Sequence, residues 1–231
     1  MDKRKKDRAF QLFLMLSGVF VASLVACNLI FKKFFSYYQS ADTDINMVVS
    51  VGIIAYPITF LVTDLISELY GRKLANQVVF SGVVVSLFVL VLITISDQVS
   101  AVSFSPVDDG LFHQVFGNSG AAITSSMIAY LIAQFIDVRI FHFWKKLTNG
   151  KMLWLRNNFS TIPSQLIDTA VVLLVLCQAG EIGWENFWPF LGAGFLFKVI
   201  VAVLDTPILY GAVYWARRYF GLKENEEISL Y

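Results

Sequence analysis

Residues 78–96 read VVFSGVVVSLFVLVLITIS, an apolar run with no charged side chain. A helix rises about 1.5 Å per residue, so a run of this length reaches across the roughly 30 Å hydrocarbon layer of a bilayer. A soluble domain would have to cover every face of such a helix, whereas lipid solvates it as it stands. The stretch reads as a membrane span, and the chain repeats the pattern on both sides of it. Similar blocks occupy about 10–31, 45–68, 120–144, 159–179 and 187–215. They predict a single transmembrane domain over residues 1–231, an all-α integral membrane bundle of six spanning helices. Pro57 interrupts the second block, and residues 97–118 form a longer connection expected to lie partly in the membrane interface. Composition agrees: 57% of the 231 residues are hydrophobic and 15% charged, against about 25% charged in a soluble domain.

The charges are sorted along the chain. One set of alternate connections holds the basic N-terminus (Lys3, Arg4, Lys5, Lys6, Arg8), then Arg72 and Lys73, then Lys145, Lys146, Lys151 and Arg156, then Arg217, Arg218 and Lys223. The other set holds Lys32 and Lys33 beside Asp42, Asp44, Asp97, Asp108, Asp109, Glu181 and Glu185. Lysine and arginine are retained on the cytoplasmic side during insertion, so the pattern predicts an even number of spans with both termini in the cytoplasm. The basic start also resembles a signal peptide, and Leu24-Val25-Ala26-Cys27 a lipoprotein cleavage box. A lipoprotein carries a soluble body, which this chain would lack, so a multi-pass protein is the better reading.

Other chemistries find no motif. Cys27 and Cys177 lie inside apolar blocks without disulfide or metal-ligand spacing, and His113 and His142 are isolated. A G-x-x-x-x-G-K phosphate loop, a His-Glu-x-x-His zinc motif and a serine nucleophile elbow are all missing from the sequence. Neither an enzyme nor a bound cofactor or metal is expected.

The informative residues are polar ones inside the spans: Asn28, Asp64, Glu68, Gln134, Asp137, Arg139, Gln165, Asp168, Lys198 and Asp205. A mid-span Asp, Lys or Arg costs roughly 2.5–3.5 kcal/mol to insert, so these residues turn inward toward partners, water or a ligand. On the predicted topology Asp168 and Lys198 lie near the midplane. Asp64, Asp137 and Asp205 lie about 7–12 Å below it, at 1.5 Å per residue. Acids from four helices thus converge on one slab, as in a central polar pocket. Gln134/Asp137 and Gln165/Asp168 repeat an amide-to-acid spacing that keeps both groups on one helix face. Plainer roles stand beside these: Glu68 in a helix-end pair with Arg72, Lys198 as a counter-ion, Asn28 as a helix-to-helix hydrogen bond. Pro57 and Pro207 would loosen the second and sixth spans beside Asp64 and Asp205.

Several strings together resemble the queuosine precursor transporter family, also called the vitamin uptake transporter family. They are Pro57 to Arg72 (PITFLVTDLISELYGR), Ala133 to Val138 (AQFIDV), Arg156 to Thr161 (RNNFST) with Ser164 to Thr169 (SQLIDT), and Phe197-Lys198-Val199 with Asp205-Thr206-Pro207. The resemblance spans nearly the whole chain. It implies import of 7-cyano-7-deazaguanine and/or 7-aminomethyl-7-deazaguanine across the bacterial cytoplasmic (inner) membrane. A guanine-like edge offers two adjacent N–H donors and a carbonyl acceptor. Asp64, Asp137, Asp168 or Asp205 would accept from the donors, and Asn28, Gln134, Gln165 or Lys198 would donate to the carbonyl. Tyr56, Phe60, Tyr130 and Phe135 stand at a depth suited to stacking on the ring. The family's six helices also resemble the substrate-binding subunit of an energy-coupling-factor importer, in which Ala22 and Ala26 would offer a small-residue surface to a scaffold. That is the alternative function. The expected partners are the small-molecule solute and the lipid bilayer; a homodimer is among the assemblies the sequence allows, and no nucleic acid is expected.

Overall fold

The computed structural model describes residues 3–39, 46–117, 120–178, 180, 182–223 and 226–230. Asp42, Asp44 and Glu181, whose charges enter the sequence analysis, lie outside the described residues. The first helix, α1, runs Lys3–Ile30. A hairpin follows, β1 (Phe34–Gln39) pairing antiparallel with β2 (Asn46–Ser50). Then come α2 (Tyr56–Asp97), the short α3 (Asp109–Val115), α4 (Gly120–Leu147), α5 (Leu153–Gln178) and α6 (Phe187–Phe220). Five helical stretches among the described residues are long and apolar enough to cross a membrane.

A straight α2 of 42 residues would be about 63 Å long, twice the hydrocarbon thickness. It is not straight. Gly71 sits inside it at φ 82°, ψ 171°, a conformation that only glycine adopts without strain. Tyr56 and Ser86, equally far from Gly71 on either side, line the same cavity. The two arms therefore fold back alongside each other. Ala9 accepts a hydrogen bond from the Tyr70 hydroxyl at 2.8 Å, Phe20 lies on Gly82, and Asn28 lines the cavity with Ser86. The second arm thus runs parallel to α1 and the first arm opposite to it. Lys145 and Arg217 both reach Glu68, which aligns α4 and α6 with the first arm; α5 runs the other way, Arg156 meeting Glu68 and Thr161 meeting Asp64. The Arg8 guanidinium and the Tyr219 hydroxyl are in contact, so the start of α1 and the end of α6 share the Gly71 end of the bundle.

Three sequence expectations are corrected here. The second span was expected to begin near residue 45, but 46–50 form β2. Phe34, Phe35, Tyr37, Tyr38, Val48 and Val49 are aromatic or β-branched, which suits a pleated strand, and the hairpin docks on α6 through a Tyr37 hydroxyl bond to the Ala193 carbonyl at 3.0 Å. Pro57 does not interrupt the helix but starts it, at the first turn, where its missing N–H costs nothing. The fifth span begins at Leu153 and not 159, so Arg156 is a buried helix residue and not a loop cation. A smaller difference closes the hairpin end: Gly52 lies so near α1 that a Cβ there would stand 2.8 Å from the Cys27 carbonyl oxygen.

Burial is inverted relative to a soluble protein. Phe80, Phe88, Leu204 and Ile208 are more than half exposed, while Gln134, Asp137 and Ser164 are wholly buried. Such a surface is stable only where the solvent is hydrocarbon. Gly71→Ala is expected to cost about 1–3 kcal/mol, because the methyl group also meets the Glu227 carboxylate. Thermal unfolding in detergent checks this, and an unchanged melting temperature would contradict the assigned turn.

Candidate functional site

A cavity of about 170 Å³ opens toward the hairpin end, between α1, the β1–β2 hairpin, both arms of α2, α4, α5 and α6. One water needs about 10–15 Å³ by this measure, so the space suits a solute. Most of its wall is apolar, from residues such as Leu24, Phe31, Val49, Ile53 and Leu173. A few polar groups converge in it. Lys198 of α6 donates to Asp168 Oδ2 at 2.8 Å and to Thr169 Oγ1 at 2.9 Å, and its ammonium lies 4.2 Å from the centre of the Tyr56 ring. Helix periodicity explains the arrangement: Gln165, Asp168 and Thr169 fall on the inward stripe of α5.

Four polar atoms of this wall are buried and lack a protein partner: Asn28 Nδ2, Asp168 Oδ1 and the hydroxyls of Tyr56 and Ser86. The first can only donate and the second only accept. The Tyr56 hydroxyl lies beside Asp168 without completing a hydrogen bond. Tyr56, Phe60 and Tyr130 form an aromatic cluster with ring centres 5.4–6.1 Å apart. Of these, Tyr56 and Tyr130 face the cavity, and Phe135 stands outside the cluster.

The other expected residues lie outside the cavity wall. Gln134 donates to the Tyr130 hydroxyl at 2.7 Å from behind. Asp137 accepts from Ser164 at 3.1 Å and Asp64 from Thr161 at 3.5 Å. Gln165 is buried with its Oε1 unpartnered. Asp205 is half-buried on α6 near Asp64. Arg139 is exposed. The structure thus divides the expected set into a cavity group (Asn28, Asp168, Lys198, Tyr56, Tyr130) and a polar layer displaced toward the Gly71 end.

Beyond that layer the bundle is closed by charge. The Glu68 carboxylate, 1% exposed, takes both Arg156 Nη atoms at 2.8 and 3.3 Å and Arg217 at 2.6 Å, with Lys145 at 3.6 Å. Lys145 also holds Glu227 at 2.9 Å, and the Ile228 N–H donates to the Leu69 carbonyl at 2.7 Å, which seats the C-terminal tail against the helices. Arg72, the partner expected for Glu68, is exposed. Arg156 and Arg217 escaped notice as interior groups because the positive-inside pattern assigns them to connections; the RNN string inside an amphipathic stretch was the available signal. Among the described residues no cluster of three or more His, Cys, Asp or Glu could hold a metal.

The family described as "Putative vitamin uptake transporter" matches residues 50–212. Similar proteins include a "Probable queuosine precursor transporter" of Bacillus subtilis, 26% identical over 72% of each chain, and the "Queuosine precursor transporter" of Escherichia coli, 24% identical over 70% of this chain and 71% of the relative. A third, from Haemophilus influenzae, is 26% identical over 75% of this chain and 72% of its own. No solved structure matches the chain. These relatives do not favour the energy-coupling-factor alternative.

Removing one member of a buried ion pair leaves the other uncompensated, at a cost of about 3–5 kcal/mol. Glu68→Gln, which strands three cations, should therefore destabilise the protein by about 3 kcal/mol or more. Arg156→Met, which leaves Glu68 two partners, should cost less, and the double variant less than the sum. Melting temperatures in detergent test the order, and additive losses would mean the pair is not coupled.

Proposed function

We infer the function of this chain from the vitamin uptake transporter family, to which it belongs, together with the chemistry of its cavity. It is a multi-pass membrane transporter, not an enzyme, of the bacterial cytoplasmic membrane. Its solute is a queuosine precursor, the class that the names of the relatives state, and within that class 7-cyano-7-deazaguanine and/or 7-aminomethyl-7-deazaguanine. The observation that carries this reading is that the unpartnered atoms of this mostly apolar cavity include one that only donates, Asn28 Nδ2, and one that only accepts, Asp168 Oδ1. A guanine-like edge complements both: its adjacent N–H groups donate to the carboxylate, and its carbonyl accepts from the amide. Tyr56 and Tyr130 offer faces for the flat ring, with base stacking worth about 1–3 kcal/mol. Lys198 holds Asp168 by Oδ2 and so orients it, leaving Oδ1 to accept from the solute. The aminomethyl cation finds the same acid; the neutral cyano compound needs only its acceptor oxygen.

The bundle crosses the membrane six times, α2 supplying two spans joined at Gly71, with both termini in the cytoplasm. Arg72, Lys73, Lys145, Lys146, Lys151, Arg217 and Arg218 then all belong to the cytoplasmic end, and the cavity opens outward. One chain carries the solute without a separate energising module.

Asp168→Asn and Lys198→Met should each weaken equilibrium binding of a labelled 7-deazaguanine at least tenfold, since a hydrogen bond to a charged group is worth about 1.5–3 kcal/mol. Binding to purified protein in detergent measures this, and two variants with unaltered affinity would remove Asp168 and Lys198 from the site. For the topology, Phe104→Cys should react with an impermeant maleimide in spheroplasts and Leu147→Cys only after permeabilisation. Both positions are more than half exposed, so the reverse pattern would invert the assigned orientation.

A further inference from the structure

Between the cavity and the Glu68 cluster, the carboxyl groups of Asp64 on α2 and Asp137 on α4 lie within hydrogen-bonding reach of each other. Asp64 is 2% exposed and Asp137 is not exposed at all. Their remaining contacts are hydroxyls: Thr161 on Asp64, Ser164 on Asp137, and Ser160 beside it. No ion pair reaches either carboxyl among the described residues. Asp64 Oδ1 and Asp137 Oδ2 have no protein donor.

An ionised carboxylate only accepts hydrogen bonds, so two carboxyl groups bond to each other only when one carries a proton. Two bare charges at this depth would need a counter-ion that the surroundings do not supply. The neighbouring charged groups are engaged elsewhere. On α2, Glu68 is held by Arg156, Arg217 and Lys145. On α4, Arg139 is exposed, and His142 lies farther on beside Lys145. On α5, Asp168 is held by Lys198 of α6. Asp205 of α6 faces Asp64 as a further acid and not as a partner. Among the buried residues of α1 the only ionisable one is Cys27, which lines the cavity.

We propose that the Asp64–Asp137 pair is a proton-binding site through which solute entry is coupled to inward proton movement. One proton from the outer aqueous phase enters with the solute, is held between the two carboxyl groups, and passes to the cytoplasm when the Gly71 end opens. The pair is placed to sense the cavity. Gln134, one turn before Asp137, is bonded to the cavity residue Tyr130, and Ser164, which bonds Asp137, lies one turn before Asp168. The inference rests on the transport reading above.

Proteoliposomes containing only the purified protein and enclosing a pH-sensitive dye provide the test. Counterflow of labelled 7-cyano-7-deazaguanine into vesicles preloaded with unlabelled compound reports transport alone; dye fluorescence during net uptake reports protons. The expected result is internal acidification that accompanies uptake, with accumulation approaching about tenfold per unit of outside-acid pH difference for one proton per solute. Asp64→Asn and Asp137→Asn should each lose the acidification. Counterflow without acidification in the unaltered protein, a requirement for sodium, or acidification retained in both variants would overturn the proposal. The unaltered protein decides even if neither variant folds. Absence of counterflow in it would instead strike the transport reading, and this inference with it.

Discussion

Hydrocarbon offers an ionised side chain no partner, and the arrangement of this bundle follows from that constraint. Every charged residue in the interior is turned toward another helix, and the polar groups are stacked in tiers along the bundle. At the cavity Lys198 is satisfied by Asp168, Thr169 and the Tyr56 ring. In the middle, Asp64 and Asp137 have only each other and a few hydroxyls. At the Gly71 end one carboxylate, Glu68, is surrounded by three cations drawn from α4, α5 and α6. The order runs from a pair with an oxygen to spare, through a pair lacking a counter-ion, to a carboxylate held by three cations.

How much of this the sequence disclosed depends on the range of the forces involved. Apolar blocks report burial in lipid directly, because every residue of a span meets the same solvent, so the existence of α1, α4, α5 and α6 was legible. The β1–β2 hairpin was not. Residues 46–50 (NMVVS) continue the apolar run that leads into α2, and periodicity cannot separate a short buried strand from the first turn of a helix. What makes them a strand is pairing with 34–39 and docking against Ala193 and Phe197, contacts remote in sequence. The fusion of two expected spans into one helix broken at Gly71 was hidden for a related reason. Arg72 and Lys73 mark a connection by charge, but the turn is made by one positive-φ glycine and needs no loop.

The polar residues were legible as a set, since an acid inside an apolar run has no reason to be there without a partner. Their grouping was not. Depth along a helix can be counted at 1.5 Å per residue, which put Asp168 and Lys198 at one level and Asp64 and Asp137 at another. Rotation about the helix axis cannot be counted so well, and rotation decides that Asp168 and Asn28 face the cavity while Gln134, one turn from Tyr130, supports it from behind. Arg156 shows the opposite failure. An arginine next to a connection reads as a headgroup contact, yet here it is 1% exposed, because Glu68 takes both of its Nη atoms.

The same helices are joined at both ends of the site, and this ties its two halves together mechanically. Asp168, Lys198 and Tyr56 link α5, α6 and the first arm of α2 at the cavity. Arg156, Arg217 and Glu68 link α5, α6 and that same arm at the closed end. Helices are stiff, and their packed interfaces shift between discrete arrangements and do not deform continuously. On the proposed function, a solute with its edge against Asp168 would compete for the group holding Lys198 and alter the spacing of α5 from α6 beside the Tyr56 ring. The displacement cannot be absorbed locally, because the next tier is the close contact of Asp64 with Asp137 and the one after it a cluster in which the Glu68 oxygens are already shared among three cations. Occupancy of the cavity would therefore bear on the ion pairs at the Gly71 end, through three helices and without any intervening loop.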